Sequence, residues 1–343
     1  MKNKIIVTGG CGYIGSHTVV ELINNNYDVV ILDDLSNSSV ETLGRIEKIT
    51  GVKPVFIDID LKNDTETKKV FSKHKDAKAV INFAAHKAVG ESVQKPLMYY
   101  KNNLYSLINM LSSMVENNIN GVIFSSSATV YGTPETLPIT EKSKTQRPFS
   151  PYGNTKKIAE EVIDDLIKSN DNFSAISLRY FNPIGAHESG LIGELPSGVP
   201  NNLMPYITQT AVGLREKLMV YGNDYPTKDG TPIRDYIHVV DLAKAHVLAV
   251  ERIINKQQEQ PYEIFNLGTG NGFSVLDVIN SFEEVTNSKL NYEITDRRPG
   301  DVPELYAATD LVKEKLGWEP KKSLNEMIKS SWDWEQKLRN NKE

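Results

Sequence analysis

Apolar residues along this chain follow two alternating rhythms. Short β-branched runs occur at 4–8 (KIIVT), 27–34 (YDVVILDD), 54–58 (PVFID), 79–85 (AVINFAA), 121–127 (GVIFSSS) and 173–182 (FSAISLRYFN). Continuous apolar character predicts strands buried on both faces of a parallel sheet. Between the runs, apolar residues recur every three or four positions. Ile14, Val19, Leu22 and Ile23 form one such stripe. A long helix is predicted over 96–118. Another follows Tyr152, carrying Ile158, Ala159, Val162, Ile163, Leu166 and Ile167. Strands alternating with helices predict βαβ units with right-handed crossovers.

The rhythm changes after about residue 183. PIGAHESGLIGELPSGVPNN is rich in Gly and Pro and reads as a long loop, a kind that is usually functional or disordered. Helical patches follow at 203–215, 239–254, 274–287 and 323–338, interleaved with short strands.

Composition narrows the class. The chain has 343 residues, 39% hydrophobic and 24% charged, with a net charge of −5. No basic surface advertises nucleic acid. No apolar run reaches the roughly 18–20 residues that cross a membrane. The single cysteine, Cys11, can form no internal disulfide and suggests no metal site. The first residues enter KIIVTGG without a signal-peptide pattern, so the expected place is the cytoplasm.

The first chemistry is VTGGCGYIG. Gly9, Gly12 and Gly15 follow a predicted strand and open a predicted helix. In that setting glycines make the tight turn, admit a pyrophosphate to the backbone and let helix and strand pack closely. Free N–H groups at the helix start then bind phosphate. Asp33 and Asp34 end the second strand, where an acid accepts hydrogen bonds from a ribose hydroxyl and repels a 2′-phosphate. NAD, not NADP, is the expected cofactor. Asp60 either meets the adenine or caps a strand. The fold class is therefore α/β. A Rossmann-type doubly wound parallel sheet occupies 1–182, with later segments returning to it. A smaller mixed α/β substrate lobe occupies 183–343.

SPYGNTKK places Tyr152 and Lys156 four apart at a helix start, on one face. Alone, they could be two surface residues. Together with the glycine turn and Ser127 in SSSATVYG, they make the chain resemble the extended short-chain dehydrogenase/reductases. KAVGESVQKPLMYY, LRYFNPIGAH, PNNLMPYI, VYGNDYPTKDGTPIRDYIHVVDLA and RRPGDVPELYA are similar to the UDP-hexose 4-epimerase branch, over about residues 4–335.

The resemblance implies reversible C4 epimerisation of UDP-glucose and UDP-galactose through a 4-keto intermediate, with tightly bound NAD, serving galactose metabolism and UDP-sugar supply. It implies that Tyr152 is the general acid and base, that Lys156 lowers its pKa, and that Ser127 orients or relays the proton. For the cofactor it implies Tyr13 and Ile14 at the pyrophosphate turn. It adds Asp33, Asp34, Leu35, Ser36, Asn37 and Ser38 along the adenosine, and Asp60 and Leu61 at the adenine. Phe83, Ala84, Ala85, His86 and Lys87 run beneath the cofactor, and Asn102 and Phe181 touch it. For the nucleotide sugar it implies Lys87, Ser127, Tyr152, Asn182, Asn202, Leu203, Met219, Val220, Tyr221, Arg234, Leu305 and the stretch from Arg298 to Asp301. Arg234 and Arg298 suit a diphosphate, although two separate arginines also suit a solvated surface. His238, at a strand-to-helix joint, reads as structural.

Two other functions compete with epimerisation. A 4,6-dehydratase of the same fold needs an acid pair just after Ser127, where this chain has Ala128 and Thr129. A non-catalytic NAD-binding protein would not need Ser127, Tyr152 and Lys156. Apolar residues beyond one stripe on 96–118 (Met98, Tyr99, Leu104, Leu107, Met110, Leu111) and 153–169 (Ile158, Val162, Ile163) predict a second packing face. A homodimer with a four-helix interface would use it. The resemblance places Leu305 where epimerases restricted to UDP-glucose and UDP-galactose can carry a tyrosine near the sugar's 2-position, and the smaller leucine then implies activity on UDP-N-acetylglucosamine as well.

Overall fold

The computed structural model describes residues 2–298 and 301–340. In chain order the first half comprises β1 (Lys4–Thr8), α1 (Tyr13–Asn24), β2 (Asp28–Asp33), α2 (Glu41–Thr50), β3 (Val55–Asp58), α3 (Asp64–Lys73), β4 (Ala79–Asn82), α4 (Val89–Gln94), α5 (Pro96–Glu116), β5 (Gly121–Ser127), α6 (Pro151–Ser169) and β6 (Ser174–Tyr180). The second half comprises β7 (Asn182–Ile184), α7 (Leu203–Ala211), β8 (Leu218–Tyr221), β9 (Ile233–His238), α8 (Val239–Ile254), β10 (Tyr262–Leu267), β11 (Gly272–Ser274), α9 (Val275–Thr286), β12 (Tyr292–Thr295), β13 (Glu304–Leu305), α10 (Asp310–Leu316) and α11 (Leu324–Asn340).

Seven parallel strands form the main sheet, in the order β10-β6-β5-β4-β1-β2-β3. Alternation along β1 explains how it is covered. Ile5 and Val7 join one core with Val19 and Leu22 of α1 and Leu242 and Val250 of α8. Ile6, between them, joins the opposite core with Val70 of α3, Met110 of α5 and Ile163 of α6. Both faces are therefore dry, which is why β1 reads as an unbroken apolar run. The second half has its own core, where Ile207, Val220, Ile279, Phe282 and Ile328 meet.

Three expectations change in detail. The run 79–85 stays in the sheet only to Asn82, and Phe83 leaves it. The run 173–182 is two strands in different sheets: β6 pairs β5 and β7 pairs β9, so Phe181 sits where the chain switches layers. The helix expected over 203–215 stops at Ala211, two residues before Gly213 at φ +79°.

The second packing face also needs correction. Tyr99, Leu107, Met110, Leu111 and Ile163 lie in the chain's own core, because α5 is flanked by both α3 and α6. The outward residues are Leu97 (81% exposed), Met98, Tyr105 and Ile108, with Leu104, Ile158 and Val162 half-buried beside them.

Candidate functional site

The site lies at the carboxyl ends of the parallel strands, the usual ligand edge of an open α/β sheet. Gly9 turns at φ +70°, and a Cβ there would sit 2.8 Å from the Ala84 backbone nitrogen. A Cβ on Gly15 would overlap the Gly9 carbonyl oxygen. Gly12 is the N-cap of α1 and offers no capping side chain, so the first N–H groups of that helix remain available to an anion.

Asp33 is buried beside this turn. Its Oδ2 accepts from Cys11 N at 2.9 Å; its Oδ1 accepts from Leu35 N at 3.0 Å and the Ser38 hydroxyl at 2.8 Å. Two carboxylate oxygens hold about four acceptor positions, so room for a ribose hydroxyl remains. Burial holds the Asp33 carboxyl above its ordinary range, opposed by those three donors. The Asp34 carboxylate faces outward and binds Ser36 N and Oγ. Asn37 accepts from Ser197 Oγ at 3.1 Å, across the cleft.

Asp60 and its neighbours Ile57, Asp58, Asn63 and Glu66 line a hollow of about 370 Å³. Lys62 pairs with Asp60 at 3.4 Å and donates to Asn102 Oδ1 at 2.7 Å, tying those two sequence-predicted residues together. The Leu61 side chain is core, and its carbonyl accepts from Asn109. The Phe83 ring meets that of His246 at a tilt, with centroids 4.8 Å apart. Asn103, which sequence reasoning missed, accepts from His86 N and donates to His86 O and to Thr155 Oγ1. It pins the 83–87 segment to α6.

Ser127, Tyr152 and Lys156 come together where β5, β6 and α6 converge. Ser150 caps α6, its Oγ accepting from Gly153 N at 3.1 Å, and Pro151 begins the first turn. That start places Tyr152 and Lys156 on the helix face toward β5. Ser127 Oγ accepts from Thr129 N (3.2 Å) and Thr129 Oγ1 (3.0 Å), which leaves the serine's own proton free to donate. Thr129 was not singled out from sequence, although its place in SSSATVYG could have suggested it.

Electrostatics here are set first by burial. Burial pushes the Tyr152 phenol above its ordinary value, and the Ser127 hydroxyl pulls it back. Lys156 lies alongside on the same helix face. Its Nζ stands 6.0 Å from the Tyr152 ring centre and donates to the Ser125 carbonyl at 2.7 Å. Burial brings the lysine itself down to about 8, opposed by the Glu160 carboxylate one turn on. Glu160 is also buried. It accepts from Ser126 Oγ (2.5 Å) and from Arg179 Nε (2.9 Å) and NH2 (2.6 Å), while Arg179 donates to Tyr131 Oη (2.8 Å). This buried pair locks the strand that presents Ser125, Ser126 and Ser127.

The substrate-lobe residues border the same edge. Asn182 begins β7 and Phe181 precedes it, packed with Ala128, Tyr131 and Ile139. Leu305 packs on that cluster and lies opposite Arg234 in the β13–β9 ladder. Arg234 forms an ion pair with Asp301 and donates to the Ile233 carbonyl at 2.7 Å. Arg298 lies 4.0 Å over the Tyr221 ring, and Met219 shares that outward face of β8. Val220 alternates into the lobe core, so only its backbone can meet a ligand. Pro299 and Gly300 lie outside the described residues. Asn202 caps α7 and donates to Glu194 Oε1 at 2.6 Å; Lys87 donates to the same oxygen at 3.1 Å. Glu194, in a Gly/Pro-rich loop without periodicity, gave no sequence signal. His238 is an N-cap whose Nδ1 accepts from Val240 N.

Comparison with known proteins places these features among nucleotide-sugar enzymes. A family model described as GDP-mannose 4,6 dehydratase matches residues 6–331. The UDP-glucose 4-epimerase of Bacillus subtilis (strain 168) is 51% identical over 331 residues, 96% of each chain. A UDP-glucose 4-epimerase structure from Stenotrophomonas maltophila, with bound NAD and formylated UDP-arabinopyranose, superposes with a TM-score of 0.95 at 42% identity. The match covers 99% of this chain and 100% of that one. The Bifidobacterium longum enzyme, in complex with NAD+ and UDP, gives 0.94 at 45% identity, covering 98% and 99%.

Proposed function

The chain belongs to the UDP-glucose 4-epimerases, and from that membership we propose that it inverts C4 of UDP-glucose and UDP-galactose with NAD held throughout turnover. The observation that carries this reading is the grouping of Ser127, Tyr152 and Lys156 beside the glycine turn, with Ala128 and Thr129 where a dehydratase requires acids. The match to the dehydratase family model reflects shared ancestry of the fold and does not supply the missing acid pair.

The cradle of Gly9, Gly12 and Gly15 would hold the pyrophosphate, Asp33 the adenosine ribose, Asp60 and Leu61 the adenine, and Lys156 the nicotinamide ribose. When bound, NAD would supply a reversible hydride acceptor. Tyr152 takes the proton from the 4-hydroxyl, and Ser127 donates to the same oxygen. An isolated phenol with a pKa near 10 is a weak base at neutral pH, and burial raises it further here. A cation must therefore offset burial once the cofactor is in place, and Lys156 is the charged group within reach. Arg234, Arg298 and Asn202 hold the diphosphate and uridine while the 4-keto sugar turns its other face. Tyr152 then returns the proton.

Leu305, beside Phe181 and Ala128, leaves room that a tyrosine ring would fill, which supports activity on N-acetylated UDP-hexoses. The outward strip Leu97, Met98, Tyr105 and Ile108 supports a two-fold homodimer built from α5 and α6 of each copy. A buried lone cysteine suits the reducing cytoplasm. The test is to incubate the pure chain with UDP-galactose, without added NAD, and to measure UDP-glucose. A 4-keto-6-deoxy product would instead establish a dehydratase, and unchanged substrate would leave only a binding protein.

A further inference from the structure

The loop between β7 and α7 crosses the cofactor edge from one side to the other. It meets the segments that follow β4, β1 and β2, three neighbouring strands of the sheet. Glu194 accepts from Lys87, after β4. Tyr13, after β1, donates its hydroxyl to Gly185 O at 2.7 Å, at the start of the loop. Ser197 donates to Asn37, after β2. A dinucleotide lying along that edge would pass beneath this span.

The span is fastened from outside by α11. Trp334 Nε1 donates to the Glu194 carbonyl at 3.0 Å. Gly193 lies flat against the same indole: a Cβ there would sit 2.6 Å from its ring atoms. Lys337 Nζ donates to Ser189 O at 2.8 Å. Arg45 of α2 stands 5.5 Å over the Trp334 ring, so the indole also reaches the wall that follows β2. The loop is thus held at Ser189, Gly193 and Glu194 by a helix that contributes nothing to the chemistry.

We propose that residues 187–202 form a fixed strap over NAD, that Trp334 is its latch, and that this latch keeps the cofactor from exchanging. The inference rests on the cofactor placement given above. A dehydrogenase must free its nucleotide each cycle; an enzyme that returns every hydride gains from preventing release. Trp334 is a positioning residue that acts through Gly193 and Glu194.

The experiment measures release of bound NAD from the full chain, by exchange against labelled NAD, with folding checked by thermal unfolding. Trp334→Ala is expected to release NAD at least about 10-fold faster, since it loses both a hydrogen bond and the ring packing. Its kcat at saturating NAD is expected to stay near the native value. Trp334→Phe keeps a ring against Gly193 and loses only the hydrogen bond, so a smaller gain of roughly 3- to 10-fold is expected. Because the phenylalanine variant preserves packing, it decides the matter if the alanine variant does not fold. Native release rates in the folded variants would overturn the latch. A native chain that binds no NAD at all would overturn the cofactor placement itself.

Discussion

Glu160→Gln tests whether Lys156 depends on a buried network behind it. In the native chain the Glu160 carboxylate meets Arg179 through two hydrogen bonds and Ser126 through a third, and its side chain and that of Arg179 are 8% and 4% exposed. Removing one partner of such a pair leaves an uncompensated buried charge, which costs about 3–5 kcal/mol. Thermal unfolding is expected to drop by several degrees. The second effect is on chemistry. Lys156 stands at about 8 because burial outweighs the opposing pull of Glu160. Without that carboxylate it falls further, and the ammonium is lost at lower pH. The fall in kcat/KM on the alkaline side is expected to move toward neutrality. Stability follows the opposite course. The folded value of Lys156 lies below its unfolded value, so the unfolded chain binds more protons between about pH 8 and 10.5. Folding therefore gains from this group as pH rises through that window. The double variant Glu160→Leu/Arg179→Met removes both charges. It is expected to regain most of the lost stability while keeping the shifted pH profile. A single variant with native melting and a native alkaline limb would refute the coupling.

Three further outcomes follow from the site and the surface. Tyr152→Phe is expected to retain NAD while turnover drops by roughly 10²–10⁴-fold; near-native turnover would remove Tyr152 from the proton path. Leu305→Tyr is expected to depress kcat/KM for UDP-N-acetylglucosamine about 5- to 150-fold relative to UDP-glucose, from about 1–3 kcal/mol of overpacking; an unchanged ratio would show that this wall does not meet the 2-substituent. Light scattering at micromolar concentration is expected to give a dimer mass, and Ile108→Lys a monomer; a monomeric native chain would leave the outward strip of α5 without its partner.

Much of this site was visible in the sequence because local conformation demanded it. Gly9 needs a positive φ and close backbone approach, and only glycine meets both. Tyr152 and Lys156 show their shared face through helical spacing, and Ser127 ends an unmistakable strand. What was not visible depends on partners far along the chain. Glu194 joins Lys87 and Asn202 from a loop without periodicity. Arg179 reads as one polar residue in a strand until Glu160 is seen against it. The direction of the Lys156 ammonium was hidden for a similar reason: spacing set the face, but burial and the Ser125 carbonyl set where the ammonium points. The surplus of apolar residues on α5 was real, yet sequence could not divide it between α3, α6 and the outer surface.

The order of strands also governs when this protein can become itself. β10, at Tyr262–Leu267, closes the edge of the main sheet beside β6, and α8, at Val239–Ile254, roofs α1. Both are synthesised after the substrate lobe has begun. A nascent chain halted near residue 182 would present β6 as an open edge and α1 with an uncovered apolar flank. The nucleotide half is therefore not a severable module, and truncation between the halves would spoil both.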